Sequence, residues 1–245
     1  MIDTSAYLDN ANRPLWEEMS SLFNISVKYG KEKCYANFQK GQDCTIFVVE
    51  GEKPCPASFT HELLHLYLPS KQISIGGAIR GLFQEQTPHN LIFNKELYDH
   101  LSNSLSHIKM FPLFVQMGYP AETFLQDYEC VKLTDSELET LIQHYKSGIF
   151  KKKYHPQAVN CFIGKFFAAK ADVNPSNNYE KPLMKLKQID PQLYSVLDDF
   201  WNSWVKYDVD LRREVWEEDY RQLVNEFCDG ITEWGKGKNI EISHI

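Results

Sequence analysis

The sequence predicts an α+β fold whose C-terminal half is predominantly helical. Three observations carry this. Short β-branched and aromatic runs crowd residues 24–51. Beyond Asp127 the character changes, and the rest of the chain reads as helices. Helix-breaking pairs, Asn174-Pro175 and Asp190-Pro191, then cut the second half into segments of helix length. The chain has 245 residues, 43% hydrophobic and 24% charged, which is enough to bury a sizeable core and argues against overall disorder.

Taken in order, residues 14–23 form a first helix. Pro14 suits its first turn, and Leu15, Met19, Leu22 and Phe23 fall on one face. Residues 24–30 and 34–39 are strand-like. Residues 44–51, CTIFVVEG, are the clearest strand of the chain, bounded by turn residues on both sides. The next helix takes Ser58 as N-cap and stops at Leu68, because Pro69 disfavours continuation. Residues 73–79, ISIGGAI, form a strand or a tight turn through Gly76 and Gly77. Residues 94–108 are a helix with a stripe of Leu97, Leu101, Leu105 and Ile108, ended or kinked at Met110-Phe111-Pro112. Further helices span 135–147, 157–171, 179–188, 191–207 and 211–234. The last two carry Trp201, Trp204, Trp216 and Trp234, whose spacing suits core packing.

Charge and cysteines exclude several classes. Lys plus Arg is 26 and Asp plus Glu is 33, for a net charge of −7 with no basic domain or tail, so no nucleic-acid partner is expected. The one basic run, Lys151-Lys152-Lys153, reads as a solvated loop or helix end. No apolar stretch is long enough for a membrane span, and the N-terminus lacks a signal-peptide pattern. Six scattered cysteines without a CxxC pair are expected to be reduced and mostly to fill core positions. A cytoplasmic protein is the expectation.

One motif carries chemistry: His61-Glu62-Leu63-Leu64-His65, an HExxH. On a helix, residues i and i+4 lie one turn apart on the same face, so both imidazoles can reach one ion. The glutamate sits about 100° round and can touch a water on that ion. Two nitrogen ligands plus a carboxylate that takes a proton from bound water is what a zinc hydrolase requires. Chance alone would give one such motif in a chain of this composition with a probability of roughly one to two in a hundred.

The segment FTHELLHLYL, residues 59–68, resembles the active-site helix of zincin-type metallopeptidases. The resemblance covers roughly the first 125 residues and is specific only at HExxH. It implies a zincin-like core: a small mixed sheet, the HExxH helix and a later helix that brings a third ligand. It also implies His61 and His65 as ligands of one zinc ion and Glu62 as general base. The change of character beyond Asp127 divides the chain into a metal-binding core over 1–126 and a helical subdomain over 127–245 packed on it. Two subclasses are excluded. The metzincin glycine and third histidine are replaced by Leu68 and Lys71, and Pro69 stands where a histidine four residues after the motif would be.

The third ligand is sought on the 94–108 helix, where Glu96, His100, Asn103 and His107 project together. His107 is favoured because it lies in the last turn before the proline break. Glu96 and His100 are the alternatives, with Glu85, Glu122 and Glu129 further afield. Asn103, one turn before His107, could orient a ligand by a hydrogen bond. Tyr67, Tyr98 and Tyr119 are oxyanion donors by residue type only, and the 44–50 strand could be the edge that pairs with an extended substrate.

The function expected from these residues is zinc-dependent hydrolysis, foremost of peptide or protein substrates. The alternative is a catalytically weak or inactive zincin-fold protein that serves as a regulatory or protein-interaction module. A plain helical protein with a fortuitous HExxH is the third reading.

Overall fold

The computed structural model describes residues 2–84, 89–147, 153–211 and 219–240. It is a mixed α and β structure, 59% helical, with two small three-stranded sheets. Its backbone clusters into two compact units. One joins Met1–Ile73 to Ile108–Glu129. The other joins Ser74–His107 to Cys130–Ile245. The grouping therefore differs from a single cut at 126/127, since residues 74–107 cluster with the C-terminal helices.

The first unit opens with a 3-10 turn, Thr4–Tyr7, and helix α1, Arg13–Leu22. Strands β1 (Asn24–Tyr29), β2 (Ala36–Lys40) and β3 (Asp43–Val48) follow and pair in the order β1-β3-β2. The β1–β3 pair is parallel and the β2–β3 pair antiparallel, so the sheet is mixed. Gly41, at φ +63°, makes the tight β2–β3 turn, a backbone state that glycine adopts without steric cost. Cys44, Ile46 and Val48 alternate into the core from β3. Because β3 is the central strand, both its edges are already paired. The edge available to an extended chain beside the HExxH helix is β2, not residues 44–50.

Helix α2, Pro56–Leu64, packs on β3 and β2. Its N-cap is Cys55, in extended conformation, and Pro56 takes the first position. Ser58 lies inside the helix and donates to Cys55 Sγ at 3.3 Å. The helix stops at Leu64, and a separate turn, α3, covers Tyr67–Ser70. Pro69 explains the break. It has no N–H to give the His65 carbonyl, but it fits the first turn of α3, where N–H groups lack partners anyway.

The second unit holds α4 (Ile75–Phe83), α5 (His89–Ile92) and most of α6 (Lys95–Gln116). After these come α7 (Asp135–His144), β4 (Lys146–Ser147), β5 (Lys153–Tyr154) and α8 (Pro156–Lys170). The chain then continues through α9 (Glu180–Ile189), α10 (Pro191–Lys206), α11 (Tyr220–Gly235) and β6 (Asn239–Ile240). The small second sheet runs β4-β5-β6.

Residues 73–79 are thus neither strand nor turn. Ile75, Ile79 and Phe83 are buried at helical spacing. Gly76 is needed because a Cβ there would lie 2.5 Å from Ser102 Cβ on α6. Nor does α6 stop at Pro112. It runs through the proline to Gln116, held by fully buried Met110 and Phe114.

The core of this unit is aromatic. Phe162, Phe166, Phe167, Trp204 and Trp234 are buried, and Phe200 stacks on Phe227 at 4.4 Å. Trp216 lies outside the described residues, as do Lys151 and Lys152. No disulfide forms, but only Cys44 and Cys228 are buried, while Cys130 and Cys161 are exposed. Small thiols on helix and loop surfaces need no core position. No helix among the described residues is long and apolar enough to cross a membrane.

Candidate metal centre

The HExxH helix lies with Phe59, Leu63 and Leu64 buried, and the sheet beneath it is closed by Ile46 and Val48. This burial fixes the helix's rotation. His61 and His65 then come out on one side, half-buried, with His61 Nε2 and His65 Nε2 3.3 Å apart. His65 is the C-cap of α2 and keeps helical dihedrals (φ −60°, ψ −17°), so the one-turn relation survives the break that Pro69 imposes.

His107 completes the group. Among the described residues, His61, His65 and His107 are the set whose ligand atoms could hold a metal ion, all within 4.8 Å of one another. The division into units falls inside α6, between His107 and Ile108. His107 therefore stands on the same unbroken helix as Ile108–Gln116, which belongs with the HExxH helix.

The donor chemistry fits zinc. At Zn–N distances of about 2.0–2.1 Å, two ligands of a tetrahedral ion lie about 3.3 Å apart. That matches the separation of the two Nε2 atoms. A metal also needs imidazoles in the neutral form. Burial lowers the His61 pKa to about 4, against a partly opposing hydrogen bond with the Phe124 backbone. Burial, aided by the neighbouring His61, lowers that of His65 to about 3. Both rings are therefore neutral at pH 7.

Phe124 supplies a wall. It is buried, packs edge-on against the His61 ring at 4.7 Å, and is itself held by Phe111 at 5.2 Å and Phe114 at 5.1 Å. A backbone partner on one ring nitrogen selects the tautomer that leaves the other as a lone-pair donor.

Glu62 is 8% exposed, and burial raises its carboxyl to about 7. Its backbone carbonyl accepts from Asn37 Nδ2 on β2 at 3.1 Å, which ties the helix to the sheet at this residue. The Glu62 charge also reaches the Cys44 thiol on β3, which burial above all pushes up to about 11. A carboxyl that gains and loses a proton near neutrality is suited to general acid–base work.

The remaining sequence-derived candidates are placed elsewhere. Glu96 is exposed in the first turn of α6. His100 sits with Nε2 3.0 Å from the Gly164 carbonyl of α8. Asn103 is exposed, as are Glu122 and Glu129, and Glu85 lies outside the described residues. Tyr98 is buried in the second unit with the Arg80 guanidinium over its ring. Tyr67 carries the Lys71 ammonium over its ring. Tyr119 donates to Asp9. Sequence reasoning missed Phe124, Asn37 and Cys44. None of them has a spacing relation to HExxH, and only the sheet register and the fold of the chain after α6 bring them near it. Compared with known proteins, the chain matches no family model, no curated protein and no solved structure, so the geometry alone carries the reading.

Proposed function

We propose that this protein is a zinc-dependent hydrolase with a zincin-like core, foremost a peptidase, acting in the cytoplasm. The observation that carries the reading is the convergence of three histidines, His61, His65 and His107, with a buried glutamate next to the first of them in sequence. A bound zinc ion supplies an acidified water and polarises a scissile carbonyl. Three imidazoles are a ligand set that would leave a fourth position for that water.

Glu62 takes the proton from the water at its carboxylate and hands it to the leaving amine. Its elevated pKa supports both halves of that exchange. The free edge of β2, next to the helix through the Asn37–Glu62 bond, suits an extended peptide that adds a strand.

The test is Glu62→Gln. Zinc content should be unchanged, and cleavage of a peptide library should fall by roughly 10²–10⁴-fold, the span of general-base catalysis. A native protein that holds zinc and cleaves nothing in the library would instead favour the non-catalytic interaction module. A native protein without stoichiometric metal would remove both readings.

A further inference from the structure

The metal-ligand candidate His61 is flanked in sequence by Thr60, whose side chain is fully buried and polar. Burying a hydroxyl is unfavourable unless it is hydrogen-bonded, and Thr60 is embedded in a closed network. Its Oγ1 donates to the Pro56 carbonyl at 2.6 Å and accepts from Asn12 Nδ2 at 2.9 Å. Asn12, also fully buried, donates as well to the Tyr7 carbonyl at 3.0 Å and accepts from the Asp9 backbone N–H at 2.9 Å.

The Asp9 carboxylate accepts from the Ala11 and Asn12 backbone N–H groups at 2.8 and 3.0 Å. It also accepts from the Tyr119 hydroxyl, which lies 2.9 Å from each of its oxygens. Tyr119 comes from the far end of α6, just after Gly118, whose φ of +92° turns the chain back. Its ring packs on Phe114 at 5.0 Å. Five residues later the same segment delivers Phe124 to the His61 ring.

The His61 position is thus gripped from both sides by one network. One arm holds the helix through Thr60. The other holds, through Tyr119, the segment whose Phe124 ring and backbone meet the imidazole. We propose that Tyr119 and Asp9 are a positioning pair for the ligand His61: their hydrogen bond fixes the 119–124 segment against the HExxH helix and so fixes the orientation of the imidazole towards the metal. This rests on the three-histidine reading of the site.

The experiment uses the full chain loaded with cobalt(II), whose visible absorption reports ligand geometry. Tyr119→Phe keeps the ring on Phe114 and removes only the hydroxyl, and Asp9→Asn keeps the shape and removes the charge. Tyr145→Phe is the control, because it deletes a buried phenol bond to Asp190 (3.1 Å) within the second unit.

The expected result is a cobalt affinity about 10-fold weaker in Tyr119→Phe and Asp9→Asn, the lower end of what disturbing the outer support of a ligating histidine costs, here passed on through the 119–124 segment. Their absorption bands should be displaced and their far-UV circular dichroism native. Tyr145→Phe should lower the melting temperature with affinity and bands unchanged. Native affinity and native bands in both Tyr119→Phe and Asp9→Asn, with or without a lower melting temperature, would overturn the positioning role while leaving the metal centre intact. A native chain that binds no cobalt would overturn the metal centre itself and the pair with it.

Discussion

His61 and His65 are two neutral rings with their Nε2 atoms 3.3 Å apart in a half-buried setting. The same burial that readies them for an ion makes the metal-free protein sensitive to acid. Both imidazoles have folded pKa values far below the usual 6.5, at about 4 and about 3. As pH falls below 6.5 the unfolded chain takes up protons that the folded chain refuses, so stability is lost towards pH 4. Glu62 acts with the opposite sign. Its folded pKa of about 7 lies above the ordinary 4.5, so its contribution is fully present below pH 4.5 and is lost as pH rises through 7. Two histidines outweigh one carboxyl below pH 6. Urea midpoints of the zinc-free protein should be nearly level around pH 7 and fall between pH 6 and 4.5. In Glu62→Gln, which lacks the offset, the fall should be steeper. A midpoint that holds level across that range would show that the rings are not buried as described.

At the scale of elements, the imino and glycine residues decide more than hydrophobic pattern does. Pro69 keeps α2 from continuing and sits in the first turn of α3, while Pro112 is carried inside α6. An interior proline costs a helix about 3 kcal/mol. Here it is outweighed by burial of Met110 and Phe114 on either side, at roughly 1.5–3 kcal/mol each. Gly76 permits α4 to lie against Ser102 of α6. Gly76→Ala should destabilise the protein by about 1–3 kcal/mol despite alanine's better helix propensity, because the new Cβ has no space without moving Ser102. Chemical denaturation reads this directly, and an unchanged or higher midpoint would contradict the close approach.

These elements also mark how far the sequence was legible. α1, the three strands and α8–α10 follow from periodicity and caps within a residue or two at most ends. The HExxH helix, expected from a Ser58 cap to Leu68, instead runs Pro56–Leu64, and residues 212–218 of the helix expected over 211–234 lie outside the described residues. The ISIGGAI segment was opaque because β-branched residues and paired glycines suit a strand or turn locally. Only its packing partner on α6 makes the helix the better state. Of the site, HExxH could be read from helical geometry. The sequence favours His107 for lying in a last turn before a proline break, but α6 instead runs through Pro112 to Gln116 and leaves His107 in mid-helix. Glu96, His100 and Asn103 share a face with His107 on paper, but the helix is long enough that earlier turns meet other elements, as His100 meets Gly164. The 119–124 segment could not be read at all, since long-range hydrogen bonds to Asp9 leave no local pattern.

At the scale of the whole chain, the two backbone units share one continuous element, α6, and the third histidine stands one residue from the division. An ion bound by His61, His65 and His107 would therefore couple His107 to histidines 42 and 46 positions earlier in the chain, and only the folded state brings them together. Such binding raises stability by mass action, by about 2.7 kcal/mol when free zinc is 100 times its dissociation constant. Thermal melts with added zinc should shift upward and should be reversed by chelator. Hydrogen exchange should show the added protection concentrated on α2, the middle of α6 and the 119–124 segment, and protection confined to α7–α11 would place the ion elsewhere.

Metal content reads the identity of the three ligands. Zinc should be counted by elemental analysis in the native chain, in His107→Ala and in His100→Ala after identical loading and dialysis. The native chain and His100→Ala should each retain about one ion per chain, while His107→Ala should lose most of it, as expected when a site drops from three protein ligands to two. Zinc absent from the native chain, or held as tightly by His107→Ala as by the native chain, would contradict the account.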